Sequence, residues 1–178
     1  MPSAFAESLA LLVGRQIDDL NASIEDLNDD ELHSHGMEGH PSIGFHAWHV
    51  LRTIDNIVHF VFYRESPIWT EQRLHQQWGL PKIDQGTGME RDDATEMRFP
   101  GSAALVGYGI AVRDSACAKI ESMEDDFLLG TTPARIAGQV IERQRIETLG
   151  QVVIAHSGQH YGQIQVLRQL LGKLSLGG

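Results

Sequence analysis

The sequence is poor in cysteine, in basic charge and in long apolar runs. A single cysteine, Cys117, in 178 residues rules out an internal disulfide framework. Lysine and arginine number 14 against 24 aspartates and glutamates, leaving a formal charge of −10. With no basic stripe to neutralise phosphates, nucleic acid is excluded as the main partner. The opening stretch MPSAFAESLALLVGRQIDDL has none of the positive charge that starts a signal peptide. Arg15, Asp18 and Asp19 interrupt its apolar run, so it is not expected to span a membrane. Internal repeats, low-complexity tracts and confident strands are also missing. What remains is a soluble chain, read as a single domain over residues 1–178 with enough length for a sizeable core, and expected in the cytoplasm.

What is present is helical periodicity. In residues 3–28, Leu9, Val13, Ile17, Leu20, Ile24 and Leu27 trace one apolar stripe, with Asp18, Asp19, Glu25 and Asp26 mainly off it. A connection rich in Asp, Gly and His follows and closes at Pro41; its His33, His35 and His40 read as solvated loop residues. Ser42 is a suitable N-cap for a second helix reaching about Glu65. That helix has an apolar side of Val50, Leu51, Ile54, Ile57, Val58 and Val61. Its other side collects His49, Arg52, Thr53, Asn56 and His59 with Phe45 and Phe60, a mixture that predicts contact on both faces.

Residues 66–81 predict a short amphipathic helix anchored by Trp69 and Trp78, and residues 82–101 a surface loop. A third long helix starts near Ser102, with Leu105, Gly109, Val112, Ala116, Ile120 and Met123 at seam spacing. Cys117 beside that seam reads as a small buried hydrophobe rather than a nucleophile. Between this helix and the last one, Thr132-Pro133 suggests the opening of a helical turn. Four long helical patterns joined by two long connections imply an all-α antiparallel four-helix bundle with a short extra helix.

The last helix, from about Thr148 to Gly172, carries the chemistry. His156 and His160 lie four apart, so both imidazoles share one face. They sit within the apolar stripe formed by Leu149, Val152, Val153, Ile164, Leu167 and Leu171. Polar groups on a core face need partners, and two histidines one turn apart are a known way to hold a metal. A third ligand from a facing helix would enclose a cation. Helix two offers His49, with His46 and His59 as competitors. Three histidines leave coordination positions open, the pattern of catalytic rather than structural zinc, and imidazole also suits nickel and iron.

The segments HAWHVLRTIDNIVHF and VVIAHSGQHYGQIQVLRQLLG together resemble the DinB-like superfamily of metal-dependent bundle proteins. The resemblance implies a four-helix bundle, frequently a homodimer, with one divalent metal (zinc, nickel or iron) held by one histidine of helix two and the pair of helix four. Carried over to this sequence, it puts the metal on His49, His156 and His160. His49 fits because it leads the Trp-His, Arg, Asp pattern, and His46 stands close by. Arg52, Asp55, Asn56, Gln159 and Gln163 are candidates for the surrounding shell, with Glu142 a further carboxylate able to take an imidazole N–H.

Characterised members of the superfamily include thiol S-transferases and a thiol-dependent isomerase acting with low-molecular-weight thiols. The implied function is therefore a metal-dependent hydrolase or a thiol S-transferase acting on a small molecule. The alternative is a non-catalytic metal-binding or stress-response protein. No residue of the chain stands out as its own nucleophile, and the catalytic residues are left unassigned.

Overall fold

The computed structural model describes residues 1–136 and 139–175 and is mostly helical, with one two-stranded sheet. In chain order the helices are α1 (Ala4–Ala22), α2 (Asp29–Leu32), α3 (Ile43–Asp55), α4 (Ile68–Glu71), α5 (Leu74–Trp78) and α6 (Arg91–Glu96). They continue as α7 (Ser102–Glu121), α8 (Asp125–Leu129), α9 (Arg145–Thr148) and α10 (Ser157–Leu170). Strands β1 (Thr131–Ile136) and β2 (Gln139–Gln144) precede α9. Two stretches are π-helical: Asn56–Phe62 prolongs α3, and Leu149–His156 joins α9 to α10.

The four long helical segments expected from periodicity are present. Ser3 Oγ accepts from the Phe5 amide to cap α1, and Ser42 Oγ accepts from the Phe45 amide to cap α3. The stripe of α1 buries Val13, Ile17 and Leu20 against α7, whose Leu105, Gly109, Val112, Ala116 and Ile120 are buried in turn. Helix α3 packs against both α7 and α10, and every residue from Ile43 to Asp55 is buried. That double burial explains why Phe45 and the histidines share one of its faces; only beyond Asp55 does that face reach water, at Phe60, which is 49% exposed.

Asp55 ties the end of α3 to its surroundings. Its two carboxylate oxygens accept from the amides of Ile68 and Trp69, anchoring α4, and Tyr108 donates its hydroxyl from α7 at 2.7 Å. Burial and the neighbouring Asp55 carboxylate push the Tyr108 phenol well above its ordinary value.

Two expectations need correction. The segment around Thr132-Pro133 is a strand and not a helical turn: β1 and β2 pair antiparallel, with Thr131 opposite Gln144 and Pro133 opposite Glu142. Thr131, Thr132, Val140 and Ile141 are β-branched and favour a pleated surface. In a two-stranded ribbon both strands are edges, so Pro133 can sit with its nitrogen outside the ladder. The single helix expected around Trp69 and Trp78 is two short ones, parted at Arg73, whose φ of 56° is left-handed. Its tryptophans do pack as expected, with ring centroids 5.2 Å apart.

Candidate metal centre

Helix α3 and the run from Leu149 through α10 bring three imidazoles together. His49, His156 and His160 each offer a ring nitrogen, and these atoms all lie within 4.8 Å of one another. The Nε2 atom of His156 is 3.4 Å from that of His49 and 3.1 Å from that of His160. Three ligands at tetrahedral positions around zinc, each at a bond length of ~2.0–2.1 Å, would hold their nitrogens roughly 3.3 Å apart. The donor set and its spacing therefore fit a divalent ion.

Tautomers support the same reading. Nδ1 of His49 lies 2.5 Å from the Gln85 carbonyl and can only donate there, which leaves its Nε2 lone pair facing the cluster. Nδ1 of His160 is 2.9 Å from Nδ1 of His46. If His160 carries that proton, its Nε2 lone pair also faces inward, and His46 holds its own proton on Nε2. That Nε2 is buried without a protein acceptor, as is Nδ1 of His156. Hydrogen-bonded outer nitrogens of this kind orient metal-binding imidazoles.

Burial keeps the cluster neutral. Desolvation, then the neighbouring imidazoles, lowers both His46 and His160 to about 3. His49 is lowered by burial against the opposing pull of the Gln85 carbonyl. Burial also lowers His156; the Val152 carbonyl one turn back pulls against this, though it lies outside hydrogen-bond geometry. Neutral imidazoles are the protonation state that binds metal.

The loop over His49 is part of the site. Gly86 has a φ of 89°, and a Cβ there would lie 2.8 Å from Phe45 Cζ and 3.2 Å from Nδ1 of His49. Asp84 accepts from the Gly86 amide at 2.7 Å, a local turn that aims the preceding Gln85 carbonyl at the imidazole. The rings of Phe45 and His49 are near parallel, with centroids 6.0 Å apart. The stretch 82–101 read as a surface loop, and Gln85 was not among the expected site residues. The available signal was the Asp84 to Gly88 run of turn formers, which marks a fixed loop without saying what it covers.

Other expected residues lie elsewhere. His59 donates from Nδ1 to Asp55, which leaves its Nε2 to accept from Ser115 Oγ, 2.7 Å away, and it is not part of the cluster. His33, His35 and His40 are half-buried and bond backbone carbonyls, so they are not simply solvated. His33 also accepts from the Phe99 amide at 2.9 Å. Arg52 lies over Trp69, Asp55 holds α4, and Glu142 is in β2 opposite Pro133. Gln159 and Gln163 line a cavity of about 270 Å³ beside His35 and His40. Cys117, on α7, is half-buried facing Gly14 of α1, and burial raises its thiol, so it lacks the thiolate character of a nucleophile.

Fold and cluster together describe a helical protein able to gather three histidines from two long helical segments around one cation. The chain belongs to the DinB superfamily, whose family model matches residues 13–164. The crystal structure of a conserved protein from Enterococcus faecalis has the same fold, with a TM-score of 0.74. The match covers 97% of this chain and 99% of that one at 16% identity, a likeness of fold alone. No curated protein matches the sequence.

Proposed function

We propose that the protein binds one divalent metal through Nε2 of His49, His156 and His160, and acts on a small molecule as a hydrolase or thiol S-transferase. The observation that carries this reading is the convergence of three Nε2 atoms while the opposite nitrogens of His49 and His160 are engaged outward. Zinc, nickel and iron all suit three imidazoles. A metal bound there would lower the pKa of a water or thiol sharing its coordination shell. The chain's own residues would hold the geometry: Gln85 fixes the ring of His49, and His46 fixes that of His160. With Cys117 distant and protonated, the nucleophile would come from the substrate or solvent. The cytoplasm is the expected compartment, and no helix among the described residues is long and apolar enough to cross a membrane.

The test is elemental analysis of wild-type protein beside His49→Ala and His156→Ala, followed by thiol and electrophile turnover of the loaded protein. Near-stoichiometric metal, lost in both variants, is expected. Metal retained by His49→Ala would exclude the proposed triad. Loaded protein without turnover would leave a non-catalytic metal-binding protein. A homodimer is part of the same proposal, supported by the exposed Phe5, Leu11 and Leu12 on α1. Light scattering at micromolar concentration should give twice the monomer mass.

A further inference from the structure

A second cavity, of about 490 Å³, lies beside the end of α3, α4 and the loop at residues 82–83. Arg52, Arg64 and Lys82 line it together with Phe60, Thr70 and Ile83. Three cations around one hollow are notable in a chain of charge −10. Arg52 is 1% exposed, and no protein acceptor meets its Nε or Nη1. Its Nη2 reaches the Ile83 carbonyl only at 3.3 Å, and its Nη1 makes a long ion pair with Asp55 at 3.9 Å, beside the Tyr108 hydroxyl. Asp55 is already committed to two amides and the Tyr108 hydroxyl. Among the described residues neither Arg64 nor Lys82 has a carboxylate partner; Arg64 lies over the Phe60 ring at 5.6 Å. Glu65 also borders the cavity, but its carboxylate is held by Lys119 at 2.6 Å.

We propose that this cavity binds a small organic anion, its carboxylate or phosphate head between Arg52, Arg64 and Lys82 and its apolar body against Phe60 and Ile83. A buried guanidinium is nearly always paired in folded proteins, and its planar fork suits both carboxylate and phosphate. The volume is that of a small-molecule site. The hollow differs in composition from the histidine cluster, and its occupancy does not depend on a metal. The two sites are nevertheless neighbours. Arg52 lies one turn beyond His49, and the same loop gives its Ile83 carbonyl to Arg52 and its Gln85 carbonyl to His49.

The experiment is an NMR titration of wild-type protein, kept in chelator so that no metal can take the anion. Benzoate, phenyl phosphate and inorganic phosphate serve as probes, with benzyl alcohol as the neutral control. Saturable shifts of the Ile83 and Thr70 amides are expected with at least one anion, and the tighter probe identifies the head group. The double variant Arg64→Gln with Lys82→Gln alters only exposed side chains and should weaken binding roughly tenfold or more. Arg15→Gln, on α1, should leave it unchanged. The absence of saturable shifts with every anion would overturn the proposal. So would undiminished affinity in the double variant, or equal binding of benzyl alcohol, which would mark a merely apolar hollow.

Discussion

His46 shows how much one side chain outside the triad can decide. It is 3% exposed and its Nδ1 faces that of His160, so one of these two nitrogens carries the proton between them, and a proton on His160 Nδ1 leaves its Nε2 lone pair facing the cluster. His46→Ala is expected to retain metal binding while weakening it by roughly 10–100-fold, the usual effect of losing an orienting partner. Competition with a chromophoric chelator measures this, and an unchanged affinity would remove His46 from the site. The same burial has a pH signature. His46 and His160 titrate near 3 in the folded protein but near 6.5 once unfolded, so acidification protonates the unfolded chain first. Metal-free protein should lose stability as pH falls from about 6.5 toward 4 and regain it as pH rises. Asp26, whose carboxyl the Arg168 hydrogen bond holds below its ordinary value, adds to the loss at the acid end of that window. A melting temperature that stays flat between pH 7 and 4 would contradict the assignment, and His46→Phe should make the fall shallower.

At the scale of elements, the site involves a loop and a helical distortion. The loop approaches α3 so closely at Gly86 that a Cβ would press on Phe45, Trp48 and His49, at a φ that L-residues avoid. Gly86→Ala should therefore displace the Gln85 carbonyl and lower metal affinity, with helical circular dichroism unchanged; affinity equal to wild type would show the loop to be dispensable. Residue-level patterns foresaw the helices well because each turn repeats a local rule: Leu105, Gly109, Val112, Ala116 and Ile120 return every three or four positions and all are buried. The hairpin was not legible, since Thr132-Pro133 fits a helix start as readily as an edge strand. Nor were the π-helical stretches, which follow a helical pattern with wider turns. One of them ends at His156, and such widened turns often occur where a helix must re-aim functional side chains.

On the scale of the whole molecule, a metal held by the proposed triad would couple its binding to folding. The three imidazoles come from α3 and from the π-helical segment and α10 near the end of the described residues, so the unfolded protein has no comparable cluster. A metal at 100 times its dissociation constant should stabilise the fold by about 2.7 kcal/mol. Thermal melts of wild type should rise with added zinc or nickel, and those of His49→Ala should not. Equal rises in both would mean that the ion binds elsewhere.

The sequence by itself determined the helical stripes, the pairing of His156 with His160 on one face, and the short list of third histidines, because all of these follow from spacing along a helix. Tertiary structure decided that His49 completes the cluster with that pair and that His59, beyond α3 in the π-helical stretch, does not, since such histidines differ only in what they face. It also decided that His46 meets His160 across 114 residues, that Gln85 reaches His49 across 36, and that Arg52 borders a cavity. No local periodicity encodes such contacts; they arise when separate apolar faces pack and carry their polar neighbours along.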